Sequence, residues 1–243
     1  MPGPFFVYDS TMVHLVYYCK NPGEELRYSL RSAAAHANVD RVTIIGDAPS
    51  WLKYAKVIPG NPTADAHVNS VANAHIAARN FKDEFILCND DFYWLKDAPV
   101  VYPRWFFRTM TSHMGLYSDP RSAHWKKLYM DTTKYLTYKQ VPMPKSFELH
   151  IPMPVQGAEL DRILTMSAAD PHLAGPGLWR SLYGNLAPSL RNVRAMQRDD
   201  VKLHSIKALS PDQDFLSTDE KTAKDLLQML RDRFPERSPW EKR

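Results

Sequence analysis

Over the first 96 residues, short unbroken apolar runs alternate with longer stretches whose apolar positions recur every three or four residues. Residues 12–18 (Met-Val-His-Leu-Val-Tyr-Tyr) are rich in β-formers and run into Asn21, Pro22 and Gly23, so they predict a first strand closed by a turn. From Glu24 onward, Leu26, Leu30, Ala33, Ala34 and Ala37 fall at helical spacing, with Glu24 and Glu25 where the helix dipole favours negative charge. Residues 41–46 predict a second strand leaving through Gly46, and residues 56–58 a short third before Pro59 and Gly60. Thr63 or Asp65 is placed to cap a helix running to about residue 80, with Val68, Val71, Ala72, Ile76 and Ala77 on its apolar face. Strand, helix, strand in this order implies parallel pairing through a right-handed crossover.

The run Phe85-Ile-Leu-Cys88 is too short for a helix and is bounded by charge on both sides, which predicts a buried strand. Its carboxyl end turns abruptly acidic at Asn89-Asp90-Asp91 and then aromatic at Phe92, Tyr93 and Trp94. Ligands of open α/β sheets collect outside the carboxyl ends of the strands. Two adjacent carboxylates there suit a hard divalent cation held by one or two side chains together with substrate phosphates. The competing reading is a solvated strand-to-loop turn, where Asn and Asp are common because they bond their own backbone.

Beyond Trp94 the pattern loosens. Residues 97–119 interleave Pro99, Pro103, Trp105, Phe106 and Phe107 with Arg104 and Arg108, a composition that suits either a hydrophobic flap or a surface for single-stranded nucleic acid or a flipped base. A helix is predicted over 122–138, with Trp125, Leu128, Tyr129, Thr132 and Leu136 on its buried face. Residues 147–154 predict a short strand ending in an X-Pro bend, in which His150 is either a structural residue or a base or acid pointing at substrate, the unperturbed imidazole being the side chain that titrates near neutrality. A further helix is expected over 159–166, residues 178–186 carry Arg180, Ser181, Tyr183 and Asn185, and an amphipathic helix is expected over 218–234, opened by a Ser-Thr-Asp-Glu cap. On the first helix Arg27 and Arg31 lie one turn apart, facing either a phosphate or solvent, and Trp51 is either a core plug or a stacking platform.

The 243 residues, 44% of them apolar, predict an ordinary core rather than a disordered or fibrous chain. Lys and Arg exceed Asp and Glu by 31 to 27, which permits a polyanionic partner without requiring one. Both cysteines, Cys19 and Cys88, fall in predicted strands and read as buried thiols in a reducing compartment. With no signal-peptide pattern and no long apolar stretch, a soluble cytoplasmic protein without membrane contact is expected. No P-loop, GxSxG element, internal repeat or metal-binding cysteine cluster is present.

Several segments, in order, resemble those of the Stealth-type transferases: Tyr28-Ser-Leu-Arg31-Ser32, the helix bearing Asn69, Phe85-Ile-Leu-Cys-Asn-Asp-Asp91-Phe92, His150-Ile-Pro-Met-Pro154, Arg180-Ser-Leu-Tyr-Gly-Asn185 and Phe215-Leu-Ser-Thr-Asp219. That group includes capsular-polysaccharide phosphotransferases, the lysosomal-enzyme N-acetylglucosamine-1-phosphotransferase and shorter phage glycosyltransferases, and the resemblance spans roughly residues 13 to 237. It implies a single GT-A-like α/β domain over residues 1–243: one Rossmann-type sheet with helices on both faces and a loop-rich, mostly helical C-terminal part. Residues 1–96 would form the nucleotide-sugar half and 97–243 the acceptor half.

The same resemblance implies catalytic roles for His150, Asp91 and Arg180, donor binding by Arg31, Asn69, Asn89 and Asp90, and Mg²⁺ or Mn²⁺ on Asp90 and Asp91. The donor expected is a nucleotide sugar, with UDP as the favoured carrier. The first strand lacks the usual acidic residue near its end, and the last motif reads Leu-Ser-Thr-Asp where long members have an Asn-Asp pair. Sugar transfer and sugar-1-phosphate transfer therefore both stand, beside a catalytically silent sugar- or DNA-binding module. The phage branch implies double-stranded DNA carrying 5-hydroxymethylcytosine as acceptor, contacted through Trp94, Arg104 and Arg108.

Overall fold

The computed structural model describes residues 13–61, 63, 65–97, 104–188, 193–196, 213–218 and 223–242. Five strands form the central sheet in the order β3-β2-β1-β4-β7, from β1 (Val13–Cys19), β2 (Val39–Gly46), β3 (Lys56–Ile58), β4 (Glu84–Asn89) and β7 (Met153–Gln156). The first four run parallel, and β7 closes the edge antiparallel to β4. Helices α1 (Glu24–His36) and α2 (Ala66–Asn80) follow β1 and β3. This is the α/β, Rossmann-type sheet that the alternation of runs and periodicities predicts.

Alternate residues of each strand enter two separate cores. Leu15, Tyr17, Ile44, Ile86 and Cys88 face α1, where Leu26, Leu30, Trp94 and Phe215 pack with them. Val16, Ile45, Phe85 and Leu87 face the other way, toward Ala74 and Ala77 of α2 and toward α4 (Ala123–Tyr138), α5 (Gly157–Ala169) and α6 (Trp179–Leu186). With both faces covered, no polar alternation survives in the strands, which is why they read as unbroken apolar runs. Each fully buried branched or aromatic side chain here is worth about 1.5–3 kcal/mol relative to exposure.

The chain beyond residue 96 completes the sheet rather than standing apart from it. Strand β5 (Phe92–Trp94) pairs with β9 (Phe215–Ser217), and β6 (Arg104–Phe106) with β8 (Val193–Ala195). A short helix α3 (Met110–Met114) precedes α4, and α7 (Ala223–Arg233) packs on the outer side of α1 through Leu226 and Leu230 against Tyr28 and Tyr93. The expected strand over 147–154 is displaced: residues 147–152 carry no regular structure, and pairing begins only at Met153, opposite Leu87. Pro154 is tolerated there because β7 is an edge strand that needs no amide on its outer side.

Two local details shape the carboxyl edge of the sheet. Asp65, not Thr63, caps α2, its carboxylate accepting from the amides of His67 and Val68 at 2.8 and 2.9 Å. Thr63 instead exchanges hydrogen bonds with Asn69. Gly46 takes a φ of +113° so that β2 leaves beside the carbonyl of Cys19, where an added Cβ would lie 2.1 Å from that oxygen. Among the described residues no helix is long and apolar enough to cross a membrane. Pro99, Pro103 and Asp219, along with the predicted cap of the last helix at 219–220, lie outside the described residues.

Candidate functional site

Strands β2 and β3 extend the sheet on one side of β1, and β4 lies on the other, so the strand order reverses between β1 and β4. Such a switch point leaves a crevice at the carboxyl ends of the two strands. Here Tyr18 pairs with Asn89 as the last rung of that ladder. Directly beyond it is a cleft of about 750 Å³ bounded by Cys19 at the end of β1 and Lys20 after it, the first turns of α2, Asn89–Phe92, residues 148–150 and the start of α6. Its volume falls in the range that holds a small-molecule substrate.

Six of the sequence-predicted residues meet there: Asn69, Asn89, Asp90, Asp91, His150 and Arg180. Asn69 comes from α2, the three acidic-motif residues from the end of β4, His150 from the irregular stretch before β7, and Arg180 from the first turn of α6. Asp91 is held from behind by Ser217, whose hydroxyl donates to its Oδ2 at 2.7 Å across 126 positions of sequence. The β5–β9 pairing brings that serine into place, matching Phe92 with Ser217.

Asp90 keeps part of its surface in the cleft while protein atoms crowd the rest of it. Burial, followed by the charge of Asp91, pushes its pKa up to about 7. Two carboxylates in a confined site thus repel each other, a repulsion that either a proton or a divalent cation relieves. Among the described residues no group of three or more His, Cys, Asp or Glu side chains converges as a metal cage. The donor set is all oxygen and short of a full sphere, which fits Mg²⁺ or Mn²⁺ completed by phosphate oxygens and does not fit a closed structural zinc site.

Arg180 is nearly buried yet lines the cleft. One Nη donates to the carbonyl of Ile151 at 3.0 Å, the other lies 3.5 Å from Asn89 Oδ1, and the guanidinium sits over Phe92 and Trp179 at 5.4 and 4.9 Å from the ring centres. A guanidinium carries five N–H donors, so this anchoring leaves capacity for an anion. His150 stands half-buried on the same cleft wall.

The other four expected site residues lie elsewhere. Arg31 grips Glu241 with Nε and Nη2 at 2.8 Å each and donates to the carbonyls of Phe234 and Pro235, so it fastens the C-terminal segment to α1. Arg27 joins the same carboxylate at 3.5 Å and lies over Trp51, which packs partly buried against the core as its packing reading expects. Trp94 is wholly buried between α1 and β9, its amide donating to Ser32 Oγ. Arg104 is buried too, bonding the carbonyl of Pro154 at 3.1 Å and the hydroxyl of Tyr183 at 2.8 Å. Arg108 stacks on Phe107 at 4.0 Å. Trp105 meets Phe215 at 5.5 Å, so the part of 97–119 around that residue packs against the core, while Tyr117 farther along borders the cleft.

Other cleft residues were not singled out from the sequence. Glu148 lies two positions before His150, and both line the cleft while Phe147, Leu149 and Ile151 beside them are buried. Trp125, expected in the core, is 42% exposed because the first turn of α4 overhangs the cleft, where the indole meets the ring of His67 edge-on. Tyr117 and Tyr129 extend that wall, and Tyr129 is tied to His113 at 3.1 Å.

Cys19 also borders the cleft as a free thiol, its pKa raised by burial and then by the nearby carboxylate of Asp90, so it is an inert wall rather than a nucleophile. Cys88 is likewise free and buried.

No protein-family model matches this chain, and no curated protein matches it. Among solved structures the chain is similar to the glycosyltransferase GlyE of Streptococcus pneumoniae TIGR4, with a TM-score of 0.40 and 8% identity over 77% of this chain and 45% of that one. The matched region thus spans less than half of the neighbour's length. At that degree of similarity it is the cleft, and not the neighbour, that bears on function.

Proposed function

We propose that the cleft binds the diphosphate of a nucleotide sugar with a divalent cation and transfers the sugar to an acceptor hydroxyl. The observation that carries this reading is the meeting of Asp90, Asp91, Arg180 and His150, drawn from three separate parts of the chain, at the β1/β4 switch point. An anion clamp, a cation site and a proton acceptor around one cleft are the parts that displacement of a nucleotide leaving group requires.

Asp91, held in orientation by Ser217, and Asp90 would hold Mg²⁺ or Mn²⁺. When bound, that cation neutralises charge building on the departing nucleotide. Arg180 contributes a fixed guanidinium that donates to phosphate oxygens in a planar, two-point manner which Lys does not reproduce. Asn89, facing Arg180, orients it toward the cleft interior. His150 takes the proton from the acceptor hydroxyl, a step worth on the order of a hundredfold or more. Asn69, locked by Thr63, shapes the donor side at the start of α2. The aromatic wall of Trp125, Tyr117 and Tyr129 borders the cleft from the α3–α4 side and limits water access.

The DNA acceptor is implied by the phage-branch resemblance, and Trp94, Arg104 and Arg108, the residues expected to contact it, do not border the cleft, so the acceptor is proposed here only as a hydroxyl compound. The test is a panel of nucleotide sugars with Mg²⁺ or Mn²⁺, offered with and without hydroxymethylcytosine DNA and glycan acceptors, with products read by mass. Release of nucleoside diphosphate marks sugar transfer, and release of nucleoside monophosphate marks sugar-1-phosphate transfer. Binding of nucleotide sugar without any product would leave a silent recognition module.

A further inference from the structure

The stretch that carries His150 belongs to no helix or strand, yet it lines the cleft in a defined place. Its support comes largely from one turn of α6. Phe147 donates its amide to Ser181 Oγ at 3.1 Å, and Glu148 Oε1 accepts from both the amide and the hydroxyl of Ser181 at 2.9 Å. Ile151, on the far side of His150, gives its carbonyl to Arg180 at 3.0 Å. His150 is thus bracketed at both ends by consecutive residues of the same helical turn.

That turn needs the bracket in return. The N-cap of α6 is Leu178, which has no side-chain acceptor, so the first amides of the helix have no local cap. Glu148 supplies one from another segment, and its negative charge sits where the helix dipole favours it. The contact is sealed by packing: Ser181 is fully buried, and Phe147 lies so close to Gly184 that an added Cβ would come within 2.2 Å of the ring.

From this we infer that Glu148 and Ser181 are positioning residues that hold His150 and Arg180 in one fixed relation. They link the group that takes the acceptor proton to the group that grips the donor phosphate. The inference rests on the roles given to His150 and Arg180 above. A diphosphate drawn onto Arg180 pulls on the carbonyl of Ile151 and so settles the imidazole one residue away. Donor binding then prepares the proton acceptor before the acceptor arrives.

The test pairs kinetics with direct observation of the imidazole. Ser181→Ala and Glu148→Ala are each expected to lower kcat by about tenfold to a hundredfold, the range for a misplaced catalytic group, with the donor KM within about twofold. Glu148→Gln, which keeps an oxygen acceptor for Ser181, is expected to retain most of the activity. In NMR spectra the His150 ring signals are identified as those missing from His150→Gln. In the wild type they are expected to shift on adding nucleoside diphosphate with Mg²⁺, and in Ser181→Ala to start from a different position and respond weakly.

Unchanged kcat and unchanged His150 signals in the alanine variants, with only a lower Tm, would overturn the inference. So would a Glu148→Gln variant as impaired as Glu148→Ala. Should the wild type consume no nucleotide sugar, the transferase reading fails, and the ring signals alone decide. In that case His150 signals unmoved by Ser181→Ala overturn the bracket, and moved signals uphold it.

Discussion

Replacing Asp90 by Asn should stabilise the protein at alkaline pH while removing its activity. In the folded chain burial and then the neighbouring Asp91 raise the Asp90 pKa from 3.8 to about 7. A carboxylate with a raised folded-state pKa leaves the native state binding more protons than the unfolded chain between those two values. Stability contributed by the neutral form is therefore lost as pH climbs through that window.

A shift of about three units corresponds to a ceiling of about 4 kcal/mol. Asp90 retains partial contact with solvent, which screens the interaction, so about 2 kcal/mol is the working figure. For a chain of this size that is a Tm difference of roughly 4–8 °C. Asp90→Asn carries no charge at any pH, so its Tm advantage should be near zero at pH 4, grow through pH 5 to 7 and level off above pH 8. Thermal unfolding of both proteins across pH 4 to 8.5, in chelator, measures this directly. Tm curves that run parallel over the whole range would refute the electrostatic picture of the site. Adding Mn²⁺ should raise the wild-type Tm more at pH 8 than at pH 6, because the cation competes with the proton, and should move the variant little.

Further outcomes follow from neighbouring features. Arg31→Ala leaves the buried carboxylate of Glu241 without its bidentate partner, and a loss of about 3–5 kcal/mol is expected from a broken pair of this kind, read by denaturant unfolding. Donor affinity should be unchanged in that variant, whereas a donor-binding Arg31 would give the opposite pattern of intact stability and weakened binding. Burial works to raise the Glu241 pKa, but the hydrogen bonds from Arg31 and Ser238 outweigh it and the net shift is downward. The stability that pair contributes should therefore be present above the ordinary carboxylate range and fade as pH falls through it, vanishing from the pH profile of Glu241→Gln. Gly46→Ala should cost at least about 1–3 kcal/mol from its positive φ alone, before the clash with the Cys19 carbonyl, and lower Tm without changing metal affinity. Ser217→Ala should weaken Mn²⁺ binding by about tenfold or more, as the loss of a hydrogen bond to a metal ligand commonly does, in calorimetric titration with nucleoside diphosphate present.

The sheet and the heart of the cleft were legible because their physics is local. Burial on both faces forces β4 to be apolar without interruption, and the sheet edge is where carboxylates first become tolerable, so Phe85 through Asp91 announce both the strand and the site. Arg180 depended on resemblance and not on pattern, and the residues alone left His150 open between a structural and a chemical role, since an arginine in a helical turn and a histidine in an irregular stretch have no distinguishing period.

Partners distant in sequence were not legible. Arg31 looked available because Glu241, its counter-ion, lies 210 residues away. Arg104 looked like part of an aromatic and cationic surface because nothing local shows that Tyr183 and Pro154 enclose it. Trp94 follows the carboxylates in sequence, yet pairing of β5 with β9 turns it into the core. Trp125 shows the opposite error: helical periodicity puts it on the buried face, but the end of α4 projects past the core into the cleft. Glu148 alone had an unused signal, its two-residue spacing from His150.

The central claim is that Asp90 and Asp91 hold a cation against the diphosphate of a nucleotide sugar beside Arg180. Its most direct measurement is nucleotide release from a panel of nucleotide sugars by the wild type, Asp91→Asn and Arg180→Lys, each with Mn²⁺ and then with excess chelator. The account predicts release by the wild type only with metal, none by Asp91→Asn despite an unaltered fold by circular dichroism, and a large loss in Arg180→Lys. Release that persists in chelator, or an Asp91→Asn protein that turns over at the wild-type rate, would contradict it.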